Sequence, residues 1–162
     1  MKTRGSDGSR PLDFEPLITS MTVAHENDGV RQQKWQLTPG FQSQDADFAL
    51  FRYSDVLLMK AELTMRLGNT VGALAYTAPV RQRAGLANFT AGAFNADSLL
   101  AERGREFVWE GWRREDLIRF GHFGDAKQFK AVDADKHSQL FPIPTEARQK
   151  NPHLTQNPGY TQ

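Results

Sequence analysis

The sequence predicts a mainly α-helical fold: tetratricopeptide-like helical hairpins with loop-rich flanking segments. Three observations carry that expectation. Apolar residues recur at helical spacing from Arg52 to Leu67. Gly68, Gly85, Gly111 and Gly121 each follow a stretch that can be helical, where glycine commonly ends a helix. The stretches between them pair into two hairpins of similar length, about 52–84 and 96–120, as stacked helical repeats do.

Each element has a local signal. Residues 1–11 are polar, with Gly5 and Gly8, and are expected to be a disordered lead-in to a region spanning 12–162. Pro11, Pro16, Pro39, Gly29 and Gly40 interrupt residues 12–50, and Asn27-Asp28-Gly29 reads as a turn. Val30–Leu37 reads as one short strand. After the first helix, Thr70 can cap a second that runs to about Ala84. Pro79 lies inside it, lacks an N–H and clashes with the carbonyl of Ala75, so a bend or a new helical segment is expected there. Asn95 or Asp97 can cap a third helix reaching about Glu110, and a shorter fourth follows from Trp112 to Phe120. The tail, 122–162, reads as irregular, with Phe141-Pro142-Ile143-Pro144 extended because proline disfavours helix at the residue before it.

Composition narrows the function. The chain has 162 residues, 39% of them hydrophobic and 24% charged, which suits one domain and excludes a wholly disordered or membrane-embedded chain. Lys and Arg total 20 against 19 Asp and Glu, so the basic excess that nucleic-acid binding uses is lacking. Cysteine is absent, which excludes disulfides, thiolate zinc sites, a cysteine nucleophile and a lipidated cysteine on this chain. No apolar run approaches the ~18 residues of a membrane span. Met1–Pro16 has Lys2 and Arg4 but no apolar stretch behind them, so it does not read as a signal peptide.

The helix faces carry further expectations. Residues 52–67 are apolar around most of the helix, apart from an arc holding Arg52, Asp55, Glu62 and Arg66. Such a helix needs neighbours on more than one side. Tyr53, Val56, Leu57, Leu58, Leu63 and Met65 are therefore expected to include several exposed residues. Lys60 is expected to lay its stem on apolar surface and lift its ammonium clear. In the third helix Gly104 and Gly111 fall on an apolar face, which points to close approach of another backbone. Beside that face stand Glu102, Glu106 and Glu110. The segment Glu102–Arg119 holds five Arg and five acids, so it can neutralise itself. Arg103, Glu106, Glu110, Arg113 and Asp116 are expected to form a largely buried ion and hydrogen-bond network joining the last two helices.

No catalytic residue emerges. Glu106 and Glu110 resemble an acid/base pair, but neighbouring arginines hold carboxylates ionised, whereas a general acid needs a raised pKa. His25, His122, His137 and His153 are scattered without ligand spacing, and Asp45/Asp47 and Asp133/Asp135 fit no calcium loop, so no metal and no cofactor are expected. For ligand binding the aromatics stand out. Trp35 and Phe41 lie in loop-rich sequence and Trp109 on the polar side of the third helix. Sugar rings stack on such faces through their C–H surfaces. The competing reading for Trp109 and Trp112 is that they plug the hairpin interface.

Four segments, in order, resemble one family. Phe48–Glu62 (FALFRYSDVLLMKAE), Val80–Leu86 (VRQRAGL), Glu102–Gly121 (ERGREFVWEGWRREDLIRFG) and the closing Leu140–Pro144 with Asn151–Tyr160 (LFPIP, NPHLTQNPGY) are similar to motifs of the SusD/RagB family. That family usually has His in the slot of Trp112. The resemblance implies the C-terminal portion of an outer-membrane, cell-surface lipoprotein. Such a protein is not an enzyme. It captures oligosaccharides or other nutrients and hands them to a SusC-like TonB-dependent transporter, and it meets the membrane only through a lipid anchor that this chain does not carry. The matching motifs are scaffold motifs. The alternative is a free-standing helical-repeat module that binds a protein partner.

Overall fold

The structure, a computed structural model, describes residues 13–30, 34–35, 47–133 and 137–161. The lead-in 1–11, Phe41 and most of Val30–Leu37 lie outside that set. The chain divides into two compact units, Met1–Asp47 and Phe48–Gln162. In the first, Asp28 N–H donates to the His25 carbonyl (3.1 Å) and Gly29 takes φ +81°, which forms the expected turn. A bridge pairs Glu15 with Asp28. Val30, Lys34 and Trp35 show no strand pairing, and no strand occurs among the described residues.

The second unit is helical, as the sequence predicts. Its elements are α1 (Tyr53–Arg66), α2 (Thr70–Arg83), α3 (Ala96–Glu106), α4 (Arg113–Arg119) and α5 (Thr145–Lys150), with one 3₁₀ turn at His137–Gln139. Three of the helices stop the same way. After α1, Gly68 at φ +85° lets its N–H reach the Met65 carbonyl (2.9 Å) while Asn69 N–H reaches that of Thr64 (3.0 Å). Gly85 and Leu86 do this after α2, and Gly121 and His122 after α4. A left-handed residue just beyond the helix gives the last carbonyls these donors, and only glycine adopts that conformation without strain.

Some boundaries differ from expectation. Asn69, not Thr70, caps α2, its side chain accepting from Gly72 N–H at 2.8 Å. Asn95 caps α3 in a reciprocal box with Ser98 (2.9 and 2.8 Å). α3 ends at Glu106 rather than Glu110, because Trp109 turns to φ +64° and Gly111 to φ +86°. α2 continues through Pro79 as one element to Arg83, so no new segment starts there. The tail, expected to be irregular, contains α5 as well as the extended Phe141–Pro144. Gln156 clasps that extended run, its carbonyl accepting from Ile143 N–H and its amide donating to the Ile143 carbonyl (2.7 and 3.1 Å).

The core lies between the helices. Leu57, Leu58 and Ala61 of α1 meet Ala73 and Val80 of α2, with Phe94, Leu99 and Phe107 closing the cluster. Ala61 and Ala73 are fully buried, and their small side chains let the two helices approach closely. Of the six apolar residues on α1 singled out above, Tyr53, Val56 and Leu63 are exposed, Met65 is half-buried, and Leu57 and Leu58 are core. Lys60 is exposed, with its ammonium 4.8 Å over the Tyr76 ring.

Candidate functional site

Charged side chains cluster where α1, α3 and α4 meet, and they are buried to an unusual degree. Arg103 is 2% exposed. It projects from α3 between two carboxylates: Nε donates to both oxygens of Asp116 (2.9 Å each) and Nη1 to Asp55 Oδ1 (3.0 Å). Its planar fork suits this task, since it offers several N–H groups in fixed directions. Asp116 also accepts from Arg119 Nη2 (2.8 Å), and Arg119 pairs with Glu62. Glu62 in turn accepts from Arg66 Nε at 2.8 Å, four residues along α1.

A second cluster surrounds Arg52. This residue sits in extended conformation ahead of α1 (φ −146°, ψ 165°), which sends its side chain toward the end of α3. Nε donates to Glu110 Oε2 (2.8 Å), Nη1 to Glu106 Oε1 (2.5 Å) and Nη2 to the Glu106 carbonyl (2.7 Å). That carbonyl belongs to the last turn of α3, which needs outside donors. Phe107 joins the two clusters, since the guanidinium carbons of Arg52 and Arg103 each lie 4.8 Å from its ring centroid. Glu106 also receives Arg83 Nη2 (2.7 Å), and Glu102 receives Arg81 and Arg105 (2.7 and 2.5 Å).

The electrostatics follow from this geometry. Burial alone would raise the Glu106 pKa, yet the hydrogen bond and charge of Arg52 hold it below the ordinary carboxylate value. Burial works against the Arg52 charge, and Glu110 and Glu106 more than offset it, so its pKa is raised. Glu106 is thus an ionised structural anion rather than a proton donor.

The structure therefore brings Arg103 to Asp116, and Glu106 and Glu110 to Arg52. Arg113 makes a different contact. Its Nη1 donates to the Leu100 carbonyl (2.9 Å) and crosses Gly104, where a Cβ would come within 2.7 Å of the guanidinium. The Gly104 expectation is corrected here, because the close neighbour is a side chain rather than a backbone. Gly111 has nothing within 4 Å of a built Cβ and serves its positive φ. Sequence reasoning left Arg52, Asp55, Arg119, Glu62 and Arg81 out of the ion lattice.

The aromatics separate. Trp112 is half-buried against the core, whereas Trp109 is 69% exposed in the turn between α3 and α4. A tryptophan at φ +64° is uncommon, and its indole stands in solvent. Trp35 is half-buried and belongs to the first unit, and Phe41 lies outside the described residues.

These features define a set of helical hairpins whose charged residues hold the helices together and whose turn between α3 and α4 carries an exposed tryptophan. The SusD family model matches residues 18–160, and the chain belongs to that family. It is 29% identical to the starch-binding protein SusD of Bacteroides thetaiotaomicron, over 88% of this chain and 28% of that protein. It is 33% identical to the SusD-like protein P38 of Formosa agariphila, over 46% of this chain and 17% of that one. The chain thus spans less than a third of the length of these relatives.

Proposed function

We propose that this chain is scaffold for a cell-surface protein of the outer membrane that binds oligosaccharide and passes it to a SusC-like TonB-dependent transporter. The family match over 18–160 is the observation that carries this reading, and the name of the starch-binding relative supplies the ligand class. The reading is of a binding protein rather than an enzyme, since Glu106 and Glu110 are both engaged by Arg52.

Within the chain, Trp109 is the leading ligand-contact candidate, with Trp35 and Phe41 proposed beside it from the sequence. A flat aromatic face exposed on a turn can stack a sugar ring, and holding it at positive φ costs about 1 kcal/mol that its exposed indole does not repay through packing. Calorimetric titration of the chain with malto-oligosaccharides, followed by a glycan array, tests this. Binding that is lost on Trp109→Gly while thermal stability holds supports the reading. Binding unchanged by that substitution removes Trp109 from the site, and the absence of binding to any glycan counts against a ligand role for this chain.

A further inference from the structure

Beyond α4 the chain makes a tight turn, Lys127-Gln128-Phe129-Lys130. Lys127 and Lys130 exchange both backbone hydrogen bonds at 2.9 Å, so they stand directly opposite each other and their side chains leave the same face of the ribbon. Three choices at this turn work against stability. Like charges directly opposite one another repel. Phe129 takes φ +63°, at the turn position that glycine or asparagine usually fills. Its ring is then left 53% exposed. Among the described residues, Trp109 and Phe129 are the non-glycine residues at positive φ, and both are exposed aromatics. Local conflicts of this kind gather where function rather than folding has chosen the residue.

The charges around the turn say what it would take. Nζ of Lys127 donates to the His122 carbonyl and Nζ of Lys130 to the Phe123 carbonyl, each at 3.2 Å. These carbonyls are consecutive, so the two ammoniums are held near one another. Each spends one of three N–H groups on a neutral acceptor and keeps its charge. Arg114 adds a third cation, its guanidinium carbon 5.1 Å from the centroid of the Phe123 ring that Lys130 also covers at 5.4 Å, and its Nη2 donates to the carbonyls of Ser138 and Gln139. None of the three is paired with a carboxylate among the described residues, whereas Arg52, Arg103 and Arg119 of the ion lattice each hold two. The acids of the same segment are engaged elsewhere, Asp125 with His122 and Asp133 with the Ser138 hydroxyl. From this we infer that the turn is a binding site for an acidic sugar, a uronate whose C–H face lies on Phe129 and whose carboxylate accepts from Lys127 and Lys130. A carboxylate has two oxygens to offer two ammoniums, and each hydrogen bond is charge-assisted. The site rests on the glycan-binding reading and narrows it, since it adds to a stacking platform the means to select anionic chains over neutral ones.

Calorimetric titration of the full chain with trigalacturonate and with maltotriose separates the two ligand classes. The uronate is expected to bind the more tightly at low salt, with an affinity that falls as sodium chloride is raised. Lys127→Gln combined with Lys130→Gln keeps an N–H for each carbonyl but removes both charges. It should weaken uronate binding at least about tenfold and maltotriose binding far less. Phe129→Gly should weaken uronate binding as well, while the thermal midpoint holds or rises, because glycine relieves the strained φ. Uronate binding unchanged by these variants overturns the inference, as does a Phe129→Gly chain whose midpoint falls together with its binding, which marks a packing role. Maltotriose binding without uronate binding overturns it and leaves the glycan reading standing, whereas binding of neither sugar overturns both. Attachment to phosphatidylglycerol vesicles in place of the uronate also overturns it and gives the turn to a lipid surface.

Discussion

Asp55 and Arg103 stand 48 positions apart in the chain and 3.0 Å apart in space, each side chain 3% exposed. The carboxylate lies in the first turn of α1 and the guanidinium in the last turn of α3, so the pair fixes how those helices cross. Burying charge is unfavourable unless each group is fully partnered, and here Asp116 supplies the second carboxylate that Arg103 requires.

Arg103→Ala should therefore lower stability by about 3–5 kcal/mol, because buried Asp55 loses the Arg103 charge and Asp116 is left with Arg119 alone. Arg103→Lys should recover only part, since an ammonium cannot satisfy both carboxylates in one plane. Urea unfolding monitored by circular dichroism measures both. A loss under ~1 kcal/mol for Arg103→Ala would mean that solvent reaches the site.

Glu106→Ala should be milder, about 1–3 kcal/mol, since Arg52 keeps Glu110 and is itself part-exposed. The pH dependence has a definite sign. The folded-state pKa of Glu106 is lowered, so its contribution is full above the unfolded value near 4.5 and is lost as pH falls through the folded value. Acid unfolding of Glu106→Gln should show a shallower decline below that pH than the parent chain.

His122 titrates in the opposite sense. Nδ1 faces Asp125 (2.5 Å) and Nε2 faces Asp97 (3.1 Å), and an imidazole can donate to two carboxylates only when both nitrogens are protonated. Chiefly through the Asp125 hydrogen bond, its pKa is raised above 6.5. Its contribution is present below the unfolded value and fades as pH rises through the folded one. The ring is exposed, so the effect is small and salt-sensitive. A two-dimensional NMR titration of the His122 ring should give a midpoint above 6.5, and Asp125→Asn should lower it.

Trp109→Gly should leave thermal stability unchanged or raise it by up to ~1 kcal/mol, because glycine occupies positive φ without strain and the indole has little packing to lose. A destabilisation above ~1 kcal/mol would assign the indole a packing role instead.

What the sequence disclosed and what it hid divide along the range of the interactions. Gly68, Gly85 and Gly121 act within six residues, and so do the Asn95–Ser98 cap and the Asn27–Gly29 turn, so each leaves a readable signal. The balanced charge of Glu102–Arg119 was visible as well, but not its partners. Arg52 looks like a surface residue at a helix start, and nothing nearby says that Glu110, 58 positions on, will accept from it. The turn at Trp109 was hidden for a related reason. Helix-compatible residues run on through Glu110, and the chain leaves the helix at Glu106, where Arg52 supplies a donor to the end of α3. Gly104 was legible as a tight spot, while the identity of its neighbour depended on the path of Arg113 across the turn.

The ion lattice also carries a consequence for the order in which the chain folds. α1 and α2 are joined by three residues, so Ala61 and Ala73 can meet after a short search. Arg52, Asp55 and Glu62 must wait for partners 48 to 58 residues away, and their dehydration comes only once α3 and α4 have docked. Stopped-flow measurements should then divide the molecule in two. Ala61→Gly should slow refolding, whereas Arg103→Ala should leave refolding nearly unchanged and accelerate unfolding, which makes the buried charges a latch that governs how long the folded state lasts.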